Sequence, residues 1–141
     1  MPIELTAFSD KHLIFERFSP VVTLDEVREV NRRFIALLDA SESGIYAVID
    51  LRYVRKFPTS IGQLRDTLIY TSNPKLLWVF LIVGQNQIVR AFAIILTQIK
   101  IKNVRLRAFN DIYKATSALQ SLQPNEDIRE LCLAQLRKTW D

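Results

Sequence analysis

Cysteine and histidine are almost missing from this chain: its 141 residues include one of each. A lone thiol, Cys132, closes no internal disulfide, and that usage fits a cytoplasmic protein. Cys132 and His12 stand far apart in sequence and make no ordinary zinc site. Nothing in their spacing pairs them as nucleophile and base. His12 falls inside a strand pattern and Cys132 reads as a small core residue of the last helix. Glycine is scarce as well, with three residues. Neither GxGxxG nor GxxxxGK occurs, so Gly84 alone is no phosphate loop. The serine-hydrolase signature GxSxG is also absent. No carboxylate motif marks a magnesium site. The longest apolar run, "LLWVFLIV" at 76–83, is far shorter than the roughly 20 residues of a membrane-spanning helix. The N-terminus, "MPIELTAF", lacks a basic region followed by an apolar one, so no secretory signal is expected. These absences argue against most enzyme chemistries and lead us to expect a non-enzymatic chain with no cofactor and no metal.

What is present is a well-stocked core. Hydrophobic residues make up 49% and charged residues 24%, which places the chain among globular domains. Its length and the lack of linker-like segments indicate a single domain over 1–141. The net charge of +4 is compatible with an acidic partner or with nucleic acid. The basic segment "KIKNVRLR" at 100–107 has no interleaved aromatic residue of the kind a single-strand binder uses. Edge protection of a strand, or an acidic protein partner, is the better reading of it than nucleic acid.

Strand and helix signals alternate. Residues 3–9 and 12–19 read as two strands joined at Asp10-Lys11. Residues 22–40 read as a helix: Thr23 and Glu26 form a capping box, and Val22 and Val27 have the spacing of a hydrophobic staple. Leu24, Val27, Val30, Phe34, Leu37 and Leu38 supply its buried stripe, and Glu29 with Arg33 an outward ion pair. Residues 45–51 are almost continuously apolar and predict a strand buried on both faces. A second helix is expected from about Ile61 to Ser72, stopped by Asn73-Pro74. A buried strand at 76–84 and a third helix from Asn86 to about Ile99 follow. The broad apolar arc of that third helix calls for a covering helix or a second subunit. Residues 104–109 alternate strictly, predicting a strand near the sheet edge with Arg105 and Arg107 on one face. Asn110 or Asp111 then opens a helix to Leu122. A final helix, 124–140, carries Ile128, Leu131, Cys132, Leu136 and Trp140 at helical spacing. The order β-β-α-β-α-β-α-β-α plus a C-terminal helix implies an α/β fold with a mostly parallel sheet and an antiparallel N-terminal strand.

The segment 45–64, "IYAVIDLRYVRKFPTSIGQL", concentrates the functional signal. A strand ends in Asp50, a basic turn carries Arg52, Arg55 and Lys56, and the hydroxyls of Thr59 and Ser60 precede the next helix. Ser60 and Gln63 form a capping box, which accounts for Ser60 as a helix cap. A phosphate at that helix start would add about −1.5 to −2 charges, tolerated by the helix dipole and within reach of the three cations. Ligand sites in open α/β sheets cluster beyond the carboxyl ends of the strands. That rule gathers Asp50, Gly84, Asn86 and Asn110 into a candidate ligand rim. Asp50 has a plainer reading too, as an acceptor of backbone N–H groups in its own turn.

The element order, the strand ending in Asp50-Leu51, the following Val54, the hydroxyl at Thr59 and the stretch "VRLRAFNDIYKATSALQSL" together resemble the STAS fold, also called SpoIIAA-like, of anti-sigma-factor antagonists. The resemblance covers about residues 3–122. It departs at Pro58, where the family usually has an acid, and at Ile61, where it often has Gly. It implies a regulatory module working through protein contacts, with Thr59 at the phosphorylatable position and Ser60 beside it. The expected partner surface is then Arg52, Arg55, Lys56, Thr59 and Ser60. The third helix and the final helix with Trp140 are candidates for homodimer contacts. The alternative is a domain that binds a small apolar or phosphorylated ligand at the strand-end rim.

Overall fold

Strand β2 (Leu13–Arg17) has every residue buried, because it lies inside the sheet with a helical layer on each side. The computed structural model describes residues 3–56, 73–85, 87, 90–91, 105–123 and 127–138. Their fold is α/β, with a five-stranded mixed sheet. The strands are β1 (Glu4–Phe8), β2, β3 (Ile45–Asp50), β4 (Leu76–Ile82) and β5 (Leu106–Phe109), and they lie in chain order across the sheet. β1 pairs antiparallel with β2, and each later pairing is parallel. β5 is an edge strand of the described sheet, as its alternation predicts, with Arg107 exposed beside the Phe109 that it covers at 4.9 Å. Arg105 shares that face and lies 5.6 Å from the Trp78 ring centroid.

Helix α1 (Leu24–Ala40) starts where the capping box places it. The Glu26 backbone N–H donates to Thr23 Oγ1 at 3.2 Å, and that hydroxyl donates to the Glu26 carboxylate at 2.9 Å. Val22 and Val27 are both buried beneath this turn. Val27, Val30, Phe34 and Leu38 press onto Ile14, Ala47, Ile49, Val79 and Leu81, the side chains of one sheet face. Glu29 pairs with Arg32, at 2.7 Å, rather than with the expected Arg33. On a helix both the i+3 and the i+4 neighbours are within reach, and the local rotamer selects between them.

The opposite sheet face carries Leu13, Phe15, Val48, Phe80 and Ile82. It is covered by helices α2 (Ile112–Leu122) and α3 (Arg129–Leu136). Asp111 caps α2, accepting from the Tyr113 and Lys114 backbone N–H groups at 2.7 and 3.3 Å. α3 begins at Arg129, later than the expected Pro124-Asn125 start, and Ile128 at its N-cap makes no side-chain cap bond. The Gln120 side chain serves that end instead, accepting from the Ile128 and Arg129 N–H groups. Leu133 joins Ile128, Cys132 and Leu136 among its buried residues, a position the helical spacing had not singled out.

His12 is not in a strand. It occupies the turn between the 3₁₀ segment Ser9–Lys11 and β2, at φ 55°, and its ring meets Ser43 Oγ at 2.9 Å. Histidine is one of the few non-glycine residues that enters this left-handed region readily. No helix of the described residues is long and apolar enough to cross a membrane. The predicted second helix, most of the predicted third helix including Asn86, and Pro124, Asn125 and Trp140 lie outside the described residues.

Candidate functional site

The turn after β3 is fastened on three sides. The Leu51 N–H donates to the Ile82 carbonyl at 2.8 Å, tying it to β4. The Arg55 and Lys56 N–H groups donate to the Pro20 carbonyl at 2.7 and 3.0 Å. The Val22 N–H returns a bond to the Lys56 carbonyl at 2.9 Å, and Val21 and Lys56 form an isolated parallel bridge. Val54 is buried as the plug of this turn, while Arg55 and Lys56 are exposed on its outer side. The sequence thus yields a rigid basic loop at the carboxyl end of the sheet.

Asp50 is fully buried at its base. It accepts from the Arg52 backbone N–H at 3.1 Å, the turn bond expected of it. It also accepts from Arg52 Nε and Nη2 at 2.9 and 3.0 Å, a two-pronged pair that the sequence reading did not foresee. Burial works against the Arg52 charge, but the hydrogen bonds and attraction of Asp50 outweigh it and hold the guanidinium above its ordinary pKa. Arg52 Nη2 also donates to the Leu136 carbonyl, and its guanidinium lies 5.3 Å from the Tyr53 ring centroid. Arg17, the register neighbour of Asp50 on β2, makes a parallel set of bonds. It donates to the Glu4 carboxylate at 2.6 Å and to the Lys138 carbonyl at 2.7 Å. Two arginines therefore satisfy carbonyls at the C-terminal end of α3, where a positive charge is favoured by the helix dipole.

Beyond this network a cleft of about 550 Å³ opens over the ends of β3 and β4. Arg52, Arg55, Arg90, Gly84 and Asn110 are among its lining residues. A neighbouring cleft of about 640 Å³ shares Val83, Arg90 and Asn110 with it and adds Arg107 and Lys114. No aspartate or glutamate lines either one among the described residues. Gly84 shapes the boundary, since a Cβ there would stand 2.6 Å from the Arg52 carbonyl oxygen. Its role is to let the β4 end pass against the basic turn.

The structure thus brings together four of the residues singled out from sequence, Arg52, Arg55, Gly84 and Asn110, in one cleft. Asp50 lies beneath as an internal anchor of Arg52, and Lys56 is exposed outside the lining. Thr59, Ser60 and Asn86 lie outside the described residues. Sequence reasoning missed Arg90 and Lys114. The available signal was positional: each lies on the segment that follows a parallel strand, where ligand groups gather.

The strongly perturbed titratable groups are elsewhere. Glu16 is buried on the α1 side of β2, following the alternation Ile14, Glu16, Phe18. Burial pushes its carboxyl up to about 8, only partly opposed by the charge of Arg33, and its Oε1 has no hydrogen-bond partner. Cys132 is a free, buried thiol pushed up to about 12 by burial. No cluster of three or more His, Cys, Asp or Glu among the described residues could hold a metal ion. No protein family, curated protein or solved structure matches the chain.

Proposed function

We propose that this chain is a non-enzymatic regulatory module of STAS-like fold that takes an acidic or phosphorylated segment of a protein partner on its basic strand-end rim. The observation that carries this reading is the turn at 51–56, pinned to Pro20 and Ile82 while Arg55 and Lys56 face outward. A pre-ordered loop loses little entropy when it docks on a surface of complementary charge. The STAS-like reading is supported by strands in consecutive order with one antiparallel edge strand at the N-terminus. The non-enzymatic reading is supported by the location of Glu16 and Cys132, the two groups with large upward shifts, outside the lining of the cleft.

Thr59 and Ser60 follow this turn by three and four residues after Lys56. Phosphorylation at Thr59, three residues after Lys56 in sequence, would oppose the basic charge that meets the partner and switch binding off. Affinity capture from native cells, with phosphosite mapping of the same sample, tests both parts. A partner captured by the wild-type chain and lost with Arg55→Glu/Lys56→Glu, and with Thr59→Glu, supports the reading. Unchanged capture by all three chains contradicts it.

A further inference from the structure

The two clefts join at Arg90. Arg90 lines both, and so do Val83 and Asn110. On one side stand Arg52 and Arg55, on the other Arg107 and Lys114. Neither Arg90 nor Lys114 pairs with a carboxylate among the described residues. Arg52 is different, since Asp50 already neutralises it and fixes its orientation. The second cleft also has an apolar wall, formed by Val83, Ala108, Phe109 and Ala118. Arg90 at the junction, with Arg107 and Lys114 beside an apolar wall in the same cleft, describes a ligand that carries both an anionic group and an apolar body. Each volume falls within the roughly 300–1,000 Å³ of small-molecule sites.

We infer that this double cleft is a binding site for a small phosphate monoester with an apolar body, the phosphate seated at Arg90 and Asn110 and the body lying along Val83 and Ala118. The site goes beyond the partner-binding rim: Lys56, on that rim, lines neither cleft. Asn110 is exposed and donates through its amide, completing a donor set of guanidinium and amide groups suited to phosphate oxygens. Anions are drawn to the site before contact, because the charged residues of its lining among the described residues are all cations. A phosphate alone satisfies half of the site, and an uncharged apolar molecule the other half.

Isothermal titration calorimetry of the full chain with phenyl phosphate, inorganic phosphate and phenol tests this directly. Phenyl phosphate is expected to bind at least about tenfold more tightly than either fragment, since each end adds its own contribution. Arg90→Ala is expected to weaken it by about tenfold or more, the usual scale for losing a charge-assisted hydrogen bond. Lys114→Ala, at an exposed helix position, is expected to weaken it several-fold. Far-ultraviolet circular dichroism confirms that each variant is folded. Equal affinity for phenyl phosphate and inorganic phosphate would overturn the site, and so would unchanged binding by folded Arg90→Ala and Lys114→Ala. A phosphotyrosyl peptide binding more tightly than phenyl phosphate would overturn the small-molecule assignment while leaving the partner reading intact.

Discussion

Arg52 grips the buried carboxylate of Asp50 through Nε and Nη2, at 2.9 and 3.0 Å, and through Nη2 also reaches the Leu136 carbonyl at the end of α3. One side chain therefore links the end of β3, the last helix and the lining of the cleft. Arg52→Ala is expected to lower unfolding stability by about 3–5 kcal/mol, because it leaves the Asp50 charge buried and unpaired. Urea unfolding reads this loss. Asp50→Asn added to Arg52→Ala should recover a large part of it, since the stranded charge is gone; no recovery would mean that Arg52 acts chiefly by packing.

The second arginine at this corner, Arg17, holds the Lys138 carbonyl across 121 residues of sequence. Arg17→Ala should raise amide hydrogen exchange in residues 129–138 above that in α1. Arg17→Lys should restore little, as one ammonium cannot serve both Glu4 and the helix end with the same geometry. Uniform exchange changes across the whole chain would show that Arg17 supports the sheet rather than α3.

Glu16 gives the protein a pH dependence opposite to that of a salt-bridged carboxylate. Its folded pKa of about 8 lies above the ordinary carboxyl value of 4.5, so the folded state binds the extra proton between those values. Its contribution to stability is fully present below the lower value and is lost as pH rises through the higher one. The slope inside that window is about 1.4 kcal/mol per pH unit for this group. Glu16→Gln should flatten the decline between pH 6 and 8 and raise stability at the upper end. A wild-type stability curve that rises over the same range, and an unchanged curve for Glu16→Gln, would count against it.

Gly84→Ala pushes a methyl group to 2.6 Å from the Arg52 carbonyl oxygen. The backbone must shift, at a cost of about 1–3 kcal/mol. Thermal unfolding should show the loss, and a variant as stable as wild type would mean that the β4 end yields without strain.

The helical and strand signals were legible where the chemistry is local. Thr23 and Glu26 announce the start of α1, Asp111 announces α2, and the almost continuous apolar character of 45–51 announces a strand covered on both faces. Glu16 was not legible as a buried charge, because an acid in a strand ordinarily marks the solvent face. Here β2 has neighbours on both sides and a helical layer over each face, which overrides the pattern. The Asp50–Arg52 pair is local in sequence, but its tie to Leu136 spans 84 residues and leaves no trace in any spacing rule. The cleft was legible in part. The strand-end rule gathered Gly84 and Asn110 and the basic turn supplied Arg52 and Arg55, whereas Arg90, on the segment after β4, fell under the same rule but stood inside a helical pattern that drew no attention to it.

The most direct test of the regulatory reading compares partner capture by the wild-type chain, Arg55→Glu/Lys56→Glu and Arg90→Ala from the same native cells. The rim account predicts a specific partner held by the wild type and by Arg90→Ala and lost with the double charge reversal at the turn. Identical capture by all three chains would contradict it.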